Sequence, residues 1–451
     1  MRRLLLLLAL AAGFAAGAVG LKWDAAARTF DADLDRVELG RVLEALAAAT
    51  RWDVRVEPGT ERQVSARFER LPEGPALLQL FEGVSFLVLP QPDGQRRLLV
   101  YRTAAGNATE RVRAAEEAEA AAARRPGSRE LLVTLKPGAS AAELAERHGA
   151  KVTGSLEGLD TYRLEFTDAE AAATAAELLA DDESVEAVEF NQNFARPETP
   201  QLLTGVPALN FDLSAAPVGA DGKVIVALVD SAIPANNRFT DWLLTGLQVA
   251  GAPGTLSGLG HGEAMLEALL QAYALAPADG RTLAVRILPV DVYGAYAETS
   301  TFNVAAGILA AVKQGADIIN LSLGGPAPSA LLERVLNVAV EAGALPIAAA
   351  GNLPTTEPTY PAAYGQALAV TARDRAGQVA AYANRGEFVD VMAPGTAIVQ
   401  HDGRTYVVNG TSASTAHASG WAAALAATGR PAPEVRAALV EKLPFTPPAQ
   451  P

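Results

Sequence analysis

Val224-Ile225-Val226-Ala227-Leu228-Val229-Asp230 is an unbroken run of β-forming residues that ends in a carboxylate. A strand that is apolar at every position, without alternation, fits a central parallel strand covered on both faces. Four more such runs follow, Val285 to Leu288, Ile318 to Leu321, Leu345 to Ala349 and Ala367 to Thr371, with helical stretches between them. This alternation predicts a doubly wound α/β domain with a mostly parallel sheet over residues 200–445. Sites in such sheets lie beyond the carboxyl ends of the strands, which is where Asp230 stands.

Upstream of this domain the pattern changes. In residues 129–196, Leu131 to Leu135 reads as a strand, Ser140 with Glu143 as a capping box, and Tyr162, Leu164 and Phe166 as alternation. Asp168 opens an Ala-rich helix, and Val185 to Phe190 is a last strand. The order βαββαβ predicts a ferredoxin-like sandwich. Residues 22–103 read as a second small α+β module of the same kind. Leu39, Val42, Leu43 and Leu46 recur at helical spacing, while Val54 and Val56, then Val64, Ala66 and Phe68, alternate. A short helix is expected around Ala76 to Phe81, and Gln91-Pro92-Asp93-Gly94 signals a turn. Residues 104–128, rich in Ala, Glu and Arg, are expected to be a linker, either a solvated helix or a flexible tether.

The start of the chain reads as an export signal over residues 1–20. Arg2 and Arg3 precede the apolar Leu4 to Leu10, and small residues follow, with cleavage after Ala18 or Gly20. The rival is an uncleaved anchor, since Leu4 to Leu21 reaches the roughly 18 apolar residues that span a bilayer. The composition then narrows the function. A net charge of −14 argues against a nucleic-acid partner. The absence of cysteine excludes disulfides, thiolate nucleophiles and Cys-ligated zinc. No Asp/Asn-rich loop with calcium-type spacing is found, so no metal ligands are assigned and no cofactor is expected.

Four residues carry candidate chemistry. Ser412 follows Asn409-Gly410-Thr411 and leads into an Ala-rich helix, where unpaired N–H groups suit an oxyanion. Taken alone it is simply an N-cap. His261, in Gly260-His261-Gly262, opens another helix. Asp230 can orient an imidazole, or merely form a turn. Asn352 ends the small-residue strand Ala348-Ala349-Ala350-Gly351, as an amide donor or a turn residue.

Together these residues stand in the chain order Asp, His, Asn, Ser, inside the words Val229-Asp230-Ser231, Gly260-His261-Gly262, Asn320-Leu321-Ser322-Leu323-Gly324-Gly325, Ala350-Gly351-Asn352 and Gly410-Thr411-Ser412. Over residues 129–440 the chain resembles the subtilases, the subtilisin-like serine peptidases. The resemblance implies a triad of Asp230, His261 and Ser412, with Asn352 in the oxyanion hole and Ser322, Leu323 and Gly324 pairing with substrate. It also implies that residues 129–196 are an inhibitory propeptide. The product would be an exported serine endopeptidase, made as a self-inhibited precursor and working as a monomer on protein substrates.

Three departures stand out. Ala232 replaces the family's usual Gly, Glu263 its Thr, and Ala413-Ser414-Thr415-Ala416 its Met-Ala-Thr-Pro. Those at Ala232 and Glu263 motivate the alternative of an inactive scaffold on the same fold, a binding component of the cell envelope. Glu263 has two readings, a helix-start acid or a charge that raises the pKa of His261. Phe30 to Leu34 followed by the Leu39 to Leu46 helix resembles the short N-terminal domain of secretins and TonB-dependent receptors. That implies a cell-envelope partner and a location in the periplasm or outside the cell.

Overall fold

The computed structural model describes residues 20–25, 27–90, 96–108, 110–112, 129–203, 223–234, 237–251, 258–277 and 280–445. Residues 1–19 of the expected export signal, the Gln91–Gly94 turn and most of the expected linker lie outside these residues. The chain divides into two compact units, residues 1–123 and 124–451.

The first unit contains strands β1 (Gly20–Asp24), β2 (Thr29–Glu38), β3 (Asp53–Val56), β4 (Gln63–Pro72), β5 (Ser85–Pro90), β6 (Arg96–Tyr101) and β7 (Glu110–Val112), with helices α1 (Leu39–Thr50) and α2 (Glu73–Leu80). They form two sheets, ordered β1-β2-β4 and β5-β6-β3-β7. This corrects the expectation of a simple βαββαβ module over residues 22–103 in two places. Gly20 already belongs to β1, where Trp23 stacks on Phe30 with ring centroids 4.4 Å apart. At the other end the chain returns as β7 to pair with β3, so the sheet runs to Val112 and the linker does not begin at residue 104. Both added strands are short, and neither gives a long alternating pattern.

Residues 129–191 form the expected sandwich. Strands β8 (Glu130–Leu135), β9 (Lys151–Leu156), β10 (Thr161–Glu165) and β11 (Val185–Phe190) pair in the order β11-β8-β10-β9. Helices α3 (Ala141–Arg147) and α4 (Ala169–Ala180) are capped by Ser140 and Asp168, whose side chains accept from the amides of Glu143 and Ala171. Leu131, Val133 and Leu135 point into its own core, and Leu132 points to the next domain.

Two short strands follow, β12 (Asn193–Ala195) and β13 (Gln201–Leu203). The large domain is built on β14 (Lys223–Asp230), β15 (Leu247–Gln248), β16 (Ala284–Asp291), β17 (Glu298–Ser300), β18 (Ile318–Leu321), β19 (Leu345–Ala349), β20 (Leu368–Arg373) and β21 (Val391–Pro394), then the hairpin β22 (Thr396–His401) and β23 (Arg404–Asn409). Seven of these strands form one parallel sheet, ordered β15-β16-β14-β18-β19-β20-β21. Its helices are α5 (His261–Leu275), α6 (Thr301–Lys313), α7 (Ala330–Glu341), α8 (Thr411–Ala426) and α9 (Ala432–Lys442).

The opening stretch explains the layering. Val224, Val226 and Leu228 enter the core shared with α5 and α8, whereas Ile225, Ala227 and Val229 enter the core shared with α6 and α7. A strand covered on both faces has no polar side to show, hence its unbroken apolar run. The fold is therefore doubly wound α/β, as expected.

Candidate active site

Asp230 is the last residue of β14, and His261 is the first residue of α5. Both are buried, at 1% and 3% exposure. The His261 Nδ1–H reaches both carboxylate oxygens of Asp230 at 2.9 Å. That fixes the tautomer and leaves Nε2 as the lone-pair nitrogen. Asp230 Oδ1 also accepts from the Ser231 amide at 2.6 Å. The Ser231 hydroxyl in turn accepts from the Gly262 amide at 3.0 Å. A Cβ at Gly262 would lie 2.2 Å from Ser231 O, so only glycine lets the start of α5 sit this close to the Asp230 turn.

Ser412 is the second residue of α8. Helices α5 and α8 cross where a Cβ on Gly420 would lie 2.3 Å from Leu269 O. His261 and Ser412 each stand eight residues before that crossing, about 12 Å along their helices. Both helices return from the carboxyl edge of the parallel sheet, so their N-termini share that edge. The Ser412 Oγ–H donates to Ser322 O at 3.2 Å, and Ser322 Oγ–H donates back to Ser412 O at 3.2 Å. Among the described residues the His261 ring is hydrogen-bonded through Nδ1 alone. The structure thus joins Asp230 to His261 and Ser412 to Ser322, without a hydrogen bond between His261 and Ser412. Such contacts are often long before substrate binds.

Asn352 is oriented by the residue next to the serine. Its Oδ1 accepts from both the amide and the hydroxyl of Thr411, at 2.8 and 3.0 Å. The Thr411 hydroxyl accepts from the Gly351 amide at 3.1 Å. With Oδ1 occupied, the Nδ2 donors are left for a ligand. In the first turn of α8 the Thr411 amide is spent on Asn352, and those of Ala413 and Ser414 on Gly410 O, which leaves the Ser412 amide among the described residues. The Gly410 amide donates to Gly395 O and Tyr382 Oη, at 2.9 and 3.1 Å, which steadies the turn before the serine. Leu323 and Gly324 continue from Ser322 at the end of β18, and Gly325 pairs with Tyr360.

The three departures are accommodated. Ala232 does not need the left-handed backbone region that would demand glycine. Ser414 Oγ–H donates to Pro394 O at 3.2 Å, and Thr415 Oγ1–H to Thr411 O at 2.7 Å. Glu263 turns to His401, Oε1 to Nδ1, at 3.3 Å. Glu267 and Gln271, one and two turns on, also reach the hairpin. Glu267 accepts from the Gln400 amide, and Gln271 donates to Ile398 O. No sequence signal links these residues, because they lie about 130 positions apart and meet only when β22 packs on α5.

Burial sets the local electrostatics. The buried Tyr293 phenol is pushed well above its ordinary value, first by desolvation and then by the charge of Asp230. Burial likewise pushes the His417 imidazole down, against the pull of the Ala413 and Pro394 carbonyls, and His417 Nδ1 lies 2.8 Å from Ala413 O. Among the described residues no group of three His, Asp or Glu side chains is placed to hold a metal ion.

Sequence reasoning missed two features. Glu189 of β11 caps α7, accepting from Ser329 Oγ and the amides of Ala330 and Leu331 at 2.9, 2.9 and 3.2 Å. The segment after β11 runs on into the large domain, where β12 pairs antiparallel with β17.

Comparison with known proteins agrees with this architecture. Residues 222–443 match the Subtilase family, and residues 112–191 match the Fervidolysin N-terminal prodomain. Subtilisin BL of Lederbergia lenta is 37% identical over 183 residues, which is 39% of this chain and 66% of that protein. Thermitase of Thermoactinomyces vulgaris is 40% identical over 159 residues, 35% of this chain and 55% of that protein. The matched stretch thus spans just under two thirds of the first relative and about half of the second. The crystal structure of fervidolysin from Fervidobacterium pennivorans, a keratinolytic enzyme related to subtilisin, superposes with a TM-score of 0.51 at 20% identity. That superposition covers 66% of this chain and 54% of that one, and it speaks for the fold alone.

Proposed function

We propose that this chain, whose residues 222–443 form a subtilase-family domain preceded by a fervidolysin-like prodomain, is a serine endopeptidase with Asp230, His261 and Ser412 as its triad. The observation that carries the reading is the buried Asp230 carboxylate on His261 Nδ1 at 2.9 Å. It leaves Nε2 free as a base on the edge where Ser412 begins α8. Ser412 Oγ attacks the scissile carbonyl carbon while Nε2 takes its proton, and Asp230 stabilises the resulting imidazolium. The tetrahedral oxyanion is held by Asn352 Nδ2 and the Ser412 amide. Collapse breaks the C–N bond, and His261 returns the proton to the leaving amine. Water then hydrolyses the acyl-enzyme ester by the same relay. The backbone edge of Ser322, Leu323 and Gly324 holds the substrate as an added strand.

In this reading the prodomain and residues 193–203 keep the precursor inactive until the enzyme cuts its own tether. The leader directs export, the mature enzyme is a monomer, and the first unit, up to Val112, docks it to a cell-envelope partner. The deciding experiment is intact mass of the chain beside its Ser412→Ala twin. Loss of the N-terminal part in the parent alone, at a bond between residues 194 and 205, is the expected result. A parent that stays whole and resists a serine-directed phosphonate would sink the proposal. A pull-down with residues 20–112 that recovers nothing from envelope extract would remove the docking role.

A further inference from the structure

The tether between the prodomain and the large domain lies against two separate strand edges. Its first half runs beside β17, with Asn193, Phe194 and Ala195 opposite Ser300, Thr299 and Glu298. The Arg196 amide extends this edge by donating to Ala297 O at 2.8 Å, and its guanidinium donates to Gly294 O at 2.7 Å. The Phe194 ring comes within 3.2 Å of where a Cβ on Gly325 would stand, so the tether passes beside the segment that follows Ser322–Gly324. Its second half lies on the hairpin. Gln201, Leu202 and Leu203 are opposite Val407, Tyr406 and Thr405 of β23.

Residues 197–200 cross from one edge to the other. Ser412 is tied to both sides: it is hydrogen-bonded to Ser322, whose segment meets Phe194 at Gly325, and it follows the end of β23 by three residues. A chain laid N- to C-terminal along this path presents one half before the serine and the other half after it.

We infer that the outer edge of β23 is a docking strand for the part of a polypeptide substrate that lies C-terminal to the bond being cut. This inference rests on the endopeptidase reading and extends it to substrate class. The preferred substrate is an extended polypeptide that continues well past the scissile bond, not a short peptide or a small ester.

The hairpin is built for such a role. Its two-residue turn, Asp402-Gly403, has positive φ at both positions and closes on the pair His401–Arg404. In an antiparallel ladder that phase turns the amides of Arg404, Tyr406 and Val408 towards β22, and those of Thr405 and Val407 outwards, where β13 sits. The row formed by Glu263, Glu267 and Gln271 fixes the hairpin to α5, so the outer edge is held rigid beside the serine. In the precursor, Gln201 to Leu203 occupy that edge. Three residue pairs make a short ladder, so after the tether is cut a substrate can exchange for this segment.

The test is a series of quenched fluorescent peptides identical on the N-terminal side of the cut and extended on the other side from about one to about eight residues. They are assayed with the full chain after it has matured. A bond cut within residues 197–200 puts residues 201–203 up to six positions beyond it. The inference expects kcat/KM to rise roughly ten-fold as extension passes about three to six residues, then to level off. In Val407→Pro, which lacks the outward amide, the ratio of long- to short-peptide kcat/KM falls towards one. Val407→Ala keeps the amide and keeps the ratio. A parent enzyme that cuts all lengths equally well overturns the docking strand but not the peptidase reading. A chain that cuts none of the peptides loses both. A length gain that survives Val407→Pro unchanged removes β23 as its source.

Discussion

At the scale of single residues, the proposed site is defined by which atom of each group is already bonded and which is left over. Asn352 is held by its carbonyl oxygen, to which Thr411 donates twice, and its amide donors remain for the oxyanion in the proposed mechanism. Asn352→Ala should therefore lower kcat by about a hundred-fold or more with little change in KM, since the lost donor acts mainly on the oxyanion. Steady-state kinetics on one chromogenic peptide decide this, and an equal loss in KM and kcat would place Asn352 in ground-state binding instead. Glu263 is the opposite case. One of its carboxylate oxygens, Oε1, is taken by His401 while Oε2 is buried without a partner, and the His401 contact favours a fastening role over the charge effect on His261. Glu263→Thr should leave the acid limb of the pH–rate profile where it was and should lower thermal stability. An acid limb that moves down by a full pH unit would restore the charge effect. The words around Asp230, His261, Asn352 and Ser412 were legible in sequence because each is a local turn or helix start. The His401 partner of Glu263 was not, since it depends on a hairpin folding back across 138 positions.

At the scale of elements, two contacts between domains or helices carry most of the argument. Helix α8 approaches α5 through Gly420, where an added methyl would meet the carbonyl oxygen of Leu269. Alanine is the better helix former by about 1 kcal/mol, yet the collision is with backbone and cannot be relieved by a rotamer change. Gly420→Ala should then destabilise the domain by about 2 kcal/mol, read from the denaturant midpoint, and a stabilised variant would mean that the helices can slide apart freely. The second contact is Glu189 on α7. Burial pushes its carboxyl above the ordinary 4.5, against the pull of the Ser329, Leu331 and Ala330 donors. The docked prodomain therefore holds that proton more tightly than the released one does. Its contribution to docking is whole below about pH 4.5 and is lost as the pH climbs through the raised value. Release of the cut prodomain should accelerate as the pH rises, and Glu189→Gln, which cannot titrate, should flatten that dependence. Stopped samples run on a gel report the release, and an unchanged slope in the variant would assign the pH effect elsewhere. Strands and helices with long apolar patterns were legible in the sequence. Strands β1 and β7, only five and three residues long, were not, because an isolated short strand has no period to read and gains its place only by pairing.

At the scale of the whole molecule, the division of labour follows the two units. Every residue that builds the candidate site, its hairpin and the prodomain contact lies in residues 124–451. The first unit has its own core, in which Phe30, Leu39, Val42, Leu43, Leu46, Val54, Leu77, Leu80 and Leu98 are buried together. A unit with its own core and no part in the site is expected to be dispensable for the chemistry. The order of modules was readable in sequence from the change between βαββαβ-type and strand–helix alternation. The tether's path along β17 and β23 was not, because residues 193–203 form strands only against partners about a hundred or more positions away and read locally as a Pro-containing loop. This gives a prediction for the intact chain. Removing residues 21–112 behind the same leader should leave prodomain removal and kcat/KM on a peptide within about two-fold of the parent. Retention in the envelope fraction should fall if that unit is the anchor proposed above. Measured side by side on cell fractions, lost hydrolysis with normal export would mean that the first unit helps the second to fold or stay closed. Unchanged hydrolysis together with unchanged retention would make it a spacer.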